Sequence, residues 1–154
     1  MIVVERGFVD SGKSLGVLKG KSSPLDVKNE YILEAGVKKM EAPVVLHISE
    51  KRARGFLIPH SLDTACLNKE KLKFPLLLRK WKKGDAFVPL GMKSKKKLSD
   101  FFIDAKFSNE EKEKTWLLVS GGDIVWVIGH RINERYKVEE KTNVICIFTR
   151  KPGF

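Results

Sequence analysis

Apolar and polar positions alternate in short runs along most of the chain. MIVVE, YILEA, VVLHIS and GFLIP are β-prone segments broken by glycine, serine, proline and charge. Gly12, Gly16, Gly20 and Pro24 punctuate the first third and argue against long helices there. Residues 29–40 suit either strand or helix, and Gly36 favours a strand followed by a turn. Residues 64–73 (TACLNKEKLK) read as a small exposed turn or helical turn with Asn68 as cap. Residues 74–78 (FPLLL) form a buried strand that runs into a basic turn closed by Gly84 and Asp85. Residues 86–89 resume as strand, and Gly91 and Met92 close a loop.

Helical spacing then appears. Leu98, Phe101, Phe102 and Ala105 fall at i, i+3, i+4 and i+7, a core-facing stripe with Ser94 placed to cap it. On that reading Lys95, Lys96 and Lys97 occupy the first turn, where the helix dipole is already positive. Each cation there is unfavourable by several tenths of a kcal/mol, about 0.5, unless an anion binds. Ser108 and Glu111 form a capping box that opens a second short helix. Residues 116–119 and 124–128 are apolar strands joined by a tight Ser120-Gly121-Gly122-Asp123 hairpin, and residues 143–149 are the last strand. The fold class expected is mainly β with short helices (α+β).

Composition adds little until the charge is located. The 154 residues are 42% hydrophobic and 9% aromatic, enough for a globular core, with a net charge of +11. Residues 69–97 carry 11 Lys+Arg against Glu70 and Asp85, a net of +9. Charge this concentrated self-repels unless an anion offsets it, and nucleic acid is the commonest large anionic partner. No apolar run approaches the ~20 residues of a membrane span. No signal peptide is read, and Cys66 and Cys146, each in apolar surroundings, read as buried free thiols; a cytoplasmic location is expected.

Two patterns invite a catalytic reading. Residues 7–14 (GFVDSGKS) match the phosphate-loop pattern, but that chemistry needs a helix starting at the lysine. Gly16, Gly20 and Pro24 come next instead, so a β-hairpin with a glycine-rich turn is the better reading. A free-standing nucleotide-dependent enzyme using this segment is the rival it leaves. His47, His60 and His130 have no catalytic partner at suggestive spacing, no catalytic residue is assigned, and no metal or cofactor site is proposed.

The residues that carry a specific likeness are Arg79, Trp81, Gly84, Asp85, Pro89, Gly91, Met92 and the run from Lys96 to Phe102. They continue in Ile124, Val125, Trp126, Val127 and Gly129, followed by Arg131 and Arg135. Residues 65–147 thereby resemble the C-terminal region of bacterial tRNA(Ile)-lysidine synthetases, with residues 1–64 as a variable β-rich segment preceding or packed on a 65–154 domain. The resemblance implies a β-sandwich-like domain similar to one in the phenylalanyl-tRNA synthetase β-subunit. It implies a parent enzyme that uses ATP, with magnesium, to join lysine to the wobble cytidine of a minor isoleucine tRNA. The catalytic domain lies N-terminal in that family. Its S-G-G-x-D-S loop is not reproduced by Ser120-Gly121-Gly122-Asp123, where the aspartate comes one position early.

This chain is then expected to hold tRNA, on the acceptor-stem side, without catalytic residues. Lys93, Lys95, Lys96 and Lys97 are the candidate phosphate contacts, Arg79, Lys80, Lys82 and Lys83 a second basic group, and Arg131 and Arg135 a third. Trp81 either stacks on nucleic acid or packs under its turn, and Arg79 either meets phosphate or pairs with Asp85 or Asp100. The alternative is a non-catalytic module docking an acidic protein or the parent's catalytic domain. The oligomeric state is left open, a homodimer included.

Overall fold

A computed structural model describes residues 30–151. The chain divides into two compact units, Met1–Ile32 and Leu33–Phe154. Of the first, only Glu30–Ile32 are described, as most of strand β1 (Glu30–Leu33), so the MIVVE run and the glycine-rich residues 7–14 lie outside the described residues. All the other described elements belong to the second unit.

One sheet joins β2 (Lys39–Met40), β3 (Val45–Arg52), β11 (Val144–Lys151) and β4 (Thr64–Asn68) in that order. Every neighbouring pair is antiparallel, with Cys146 opposite Glu50 on one side and Leu67 on the other. The sequence shows why these strands sit as they do. β3 alternates, with Leu46 and Ile48 buried and His47, Ser49 and Lys51 exposed. β11 is central, and its continuous VICIF run is buried accordingly. Cys66 and Cys146 are both buried free thiols, and burial pushes the Cys146 thiol up to about 12. β3 and β4 both pair with β11, and residues 64 and 65, the expected division, both lie in β4.

Four further strands of this unit, β5 (Leu76–Lys80), β8 (Trp116–Ser120), β9 (Asp123–Val127) and β10 (Arg131–Ile132), are hydrogen-bonded in that order. Gly121 and Gly122, at φ 56° and 88°, make the β8–β9 turn of the primed kind that two-residue hairpins favour. β8 and β9 are buried on both faces: Leu117 and Val127 oppose each other on one, Leu118 and Trp126 on the other. Helix α1 (Leu98–Asp104) lays Leu98, Phe101 and Phe102 against Leu117, Val119, Ile124 and Val127. Helix α2 (Asn109–Lys114) opens on the expected capping box, with Ser108 Oγ accepting from Glu111 N at 3.0 Å and Glu111 Oε1 from Ser108 N at 2.8 Å. Mostly β-sheet with few short helices is the observed class.

Four local expectations are corrected. The TACLN run is the buried strand β4, drawn into the sheet by β11, although Asn68 does cap the following 3-10 turn (Lys69–Lys71). GFLIP is irregular, beginning at a turn with Gly55 at φ 76° and leaving Leu57 exposed. Ala105 is exposed because α1 stops at Asp104. The helix also begins later than Ser94. Lys96–Lys97 form strand β7, paired with β6 (Ala86–Phe87), and Lys97 is the N-cap, without a side-chain cap bond.

Candidate nucleic-acid interface

The late helix start removes the dipole argument for a phosphate at residues 93–97. The first turn carries Asp100, not lysines, and the Leu98 N–H is bonded to the Asp85 carbonyl at 2.8 Å. What replaces it is a strand argument. In the β6–β7 ribbon, Lys96 faces Phe87 and Lys97 faces Ala86. Directly opposed residues share a face, so Lys96 lies on the side of the buried Phe87 and bridges Asp104 at the end of α1. Lys97 lies on the other side, exposed. Period-two alternation thus splits the lysine run.

A similar split runs through residues 79–83. The Arg79 guanidinium grips Asp85 through two bonds, Nη1 to Oδ2 at 2.9 Å and Nη2 to Oδ1 at 3.0 Å. Both side chains are largely buried, and the Lys82 N–H adds a third bond to Asp85 at 2.7 Å. Burial alone would raise the Asp85 carboxyl, but Arg79 and the Lys82 amide outweigh it and hold it below its usual range. Lys80 hydrogen-bonds the Glu113 carbonyl and lies over the Trp116 ring at 4.6 Å, and burial lowers its pKa. Trp81 packs edge-on to Phe102 at 5.2 Å, inside the α1 cluster. In this structure the Arg79 side chain pairs with Asp85 and the Trp81 ring packs against Phe102.

Lys82 and Lys83 stay exposed at the Gly84 turn, and Lys93, Lys95 and Lys97 along the loop into β7. Lys83, Lys93, Lys95 and Lys97 make no ion pair or hydrogen bond from their side chains among the described residues. The ribbon brings the two groups together, since Lys97 is paired with Ala86, next to the Gly84–Asp85 turn. Arg131 is exposed with its guanidinium 5.7 Å from the Phe101 ring centroid. Arg135 is exposed, and its carbonyl accepts from Lys71 Nζ at 2.9 Å.

Two residues of the site were not singled out from sequence. Glu134 accepts from the Gly91 N–H at 2.8 Å and pairs with Lys137 at 2.5 Å, fastening the Pro89–Gly91 loop to the 3-10 turn Glu134–Tyr136. Its partner is 43 positions away, beyond any local pattern. Asn133 is buried, donating to the Ile124 carbonyl at 2.8 Å and accepting from Arg135 N at 2.8 Å. Gly129 is also fixed by geometry: at φ 85°, a Cβ there would stand 2.7 Å from Arg150 Nη1. Arg150 itself pairs with Asp63 at 2.6 Å.

Ser120-Gly121-Gly122-Asp123 does not fit a phosphate loop. It is a hairpin turn between antiparallel strands, with Ser120 Oγ accepting from Lys73 N and the Asp123 carboxylate accepting from Tyr136 Oη. Among the described residues no three His, Cys, Asp or Glu side chains gather as a metal site, and no helix is long and apolar enough to cross a membrane.

Residues 76–147 match the family described as the TilS substrate C-terminal domain. The match covers just under half of the chain. Curated relatives agree. The tRNA(Ile)-lysidine synthase of Parabacteroides distasonis is 53% identical over 92 residues, 60% of this chain and 21% of that protein. The enzyme of Bacteroides thetaiotaomicron is 43% identical over 93 residues, 60% of this chain and 22% of that protein. The alignment with the Dehalococcoides mccartyi protein reaches 77% of this chain at 36% identity, and 24% of that protein. The chain therefore spans about a fifth of the length of the relatives it matches. A crystal structure of a TilS C-terminal domain shares the fold, with a TM-score of 0.68 over 81% of this chain and 98% of that one, at 19% identity. The matched segment, residues 76–147, includes both basic groups and the scaffold that holds them.

Proposed function

We propose that this chain grips tRNA as the C-terminal part of a lysidine-forming enzyme. On this reading the parent protein activates the wobble cytidine of an isoleucine tRNA with ATP and magnesium and joins lysine to it. That chemistry takes place in another domain in the cytoplasm, while this chain holds the acceptor stem and supplies no catalytic group. The observation that supports the reading is the set of exposed side chains at Lys83, Lys93, Lys95 and Lys97, without ion-pair partners among the described residues, on a segment that matches the TilS C-terminal family. An A-form stem offers phosphates and 2′-hydroxyls rather than a readable major groove, so cations on a rigid ribbon suit it.

Titration of the full chain with isoleucine tRNA across a range of salt concentrations tests this. About four to five phosphate contacts predict that log K falls against log salt with a slope near −4. A salt-independent affinity, or none, would sink the tRNA reading and leave docking to an acidic protein as the better account.

A further inference from the structure

The loop that carries Lys93 also presents apolar side chains to water. Residues 89–92 form a tight turn, with the Met92 N–H donating to the Pro89 carbonyl at 2.9 Å and Gly91 at φ 89°. The Leu90 N–H donates to the Ile132 carbonyl at 3.0 Å, the Gly91 N–H to Glu134 Oε1 at 2.8 Å, and the Glu134 N–H to the Val88 carbonyl at 2.7 Å. Every backbone N–H from Leu90 to Met92 is therefore bonded, and the turn is held firmly against β10. Its two large side chains are not held: Leu90 is 43% exposed and Met92 37%. Turn geometry demands the glycine but no apolar residue on either side of it. Lys93 and Lys95 come at once after it, exposed, and Arg131 adjoins the Ile132 to which Leu90 is bonded.

We infer that Leu90 and Met92 form a rigid apolar tip that seats against riboses and base edges in the shallow minor groove of an RNA helix. The flanking Lys93, Lys95 and Arg131 then meet the phosphates that border that groove. The inference rests on the tRNA reading and adds the part of the stem that is touched. Charge decides the occupant: a projecting apolar tip set among cations complements a wide groove of sugars and base edges between two rows of phosphates. The minor groove of B-DNA, only about 6 Å wide, is too narrow for it. An anionic membrane also combines charge with apolar depth, but two side chains on one turn bury too little area for stable attachment.

The test compares binding of the full chain to a short RNA hairpin, a DNA hairpin of the same sequence and phosphatidylserine vesicles. The variants are Leu90→Ser with Met92→Gln, and the apolar exchange Leu90→Met with Met92→Leu. The polar pair should bind RNA about tenfold more weakly, from lost apolar burial. Its dependence on salt should be unchanged, because no phosphate contact is lost. The apolar exchange should bind as the unaltered chain does, and RNA should be preferred to DNA. Both side chains reach the surface, so folding should survive, and Met92→Gln alone carries the same test if the pair lowers stability. Unaltered RNA affinity in the polar variant, a changed salt slope, or a loss confined to vesicles overturns the inference while leaving the tRNA reading in place. An unaltered chain that binds no RNA removes the tRNA reading itself.

Discussion

Two sets of cations share residues 79–97, and they stand in opposite surroundings. Arg79, Lys80 and Lys96 are tied to Asp85, the Glu113 carbonyl and Asp104 and are partly buried. Lys83, Lys93, Lys95 and Lys97 stand in water without partners among the described residues. Neighbours in sequence fall into different sets, as Lys96 and Lys97 do, because a strand sends successive side chains to opposite faces. A count of positive charge along the chain therefore overstates the surface available to an anion. What selects the exposed set is the β6–β7 ribbon and the Gly84 turn, not the lysine run itself.

The largest effect should come from removing the exposed set together. Lys83, Lys93, Lys95 and Lys97→Gln should lower tRNA affinity near 0.1 M salt by on the order of a thousandfold and flatten the salt slope by about 3 to 4. Thermal unfolding should be unchanged or slightly higher, since only mutual repulsion is lost. Filter binding and a melting curve on the same preparation check both halves. Retained affinity would mean that the exposed cations are not the grip.

Breaking the other set should act through the fold. Asp85→Ala leaves the Arg79 guanidinium and the Lys82 amide without their acceptor and should cost about 3 kcal/mol in denaturant unfolding. The same pair carries a pH signature. The Asp85 carboxyl titrates below its usual 3.8 in the folded state, so its stabilisation is fully present above that value and lost as pH falls below it through the lower folded-state value. The stability gap between the unaltered chain and Asp85→Asn should accordingly narrow on acidification below about pH 4. A gap that stayed constant to lower pH would show that the pair is not what Asp85 contributes.

Local hydrogen bonds were legible in the sequence, and distant ones were not. Short apolar runs placed β3, β8, β9 and β11, and the Ser108–Glu111 box and the glycine hairpin could be read because their partners lie a few residues apart. The helix start was misplaced because Ser94 looks like a cap only if its neighbours are free. Instead Ala86 and Phe87 draw Lys97 and Lys96 into a strand, and the Asp85 carbonyl takes the first helical N–H at Leu98. TACLN looked exposed for the same reason, its partner β11 lying some 80 residues on. The Arg79–Asp85 pair was one of three open alternatives, with phosphate and Asp100, since six residues across a turn allow the contact without requiring it. The clamp from Glu134 to Gly91 leaves no trace in either segment.

A third kind of cation separates stability from binding most cleanly. Lys106 sits just past α1 at φ 60°, in a left-handed conformation that favours glycine. Its N–H donates to the Ile103 carbonyl at 3.0 Å, the Phe107 N–H donates to the Phe102 carbonyl at 2.9 Å, and the Phe102 and Phe107 rings meet at 4.7 Å. These are the bonds and the apolar contact of a helix end that glycine usually occupies. Lys106→Gly should therefore stabilise the chain by about 0.5–1 kcal/mol, read as a higher denaturant midpoint at unchanged slope. Lys106 contributes to neither set, so tRNA affinity should stay within about twofold of the unaltered chain. A larger fall in affinity, alongside the gain in stability, would extend the grip from the ribbon to the far end of α1.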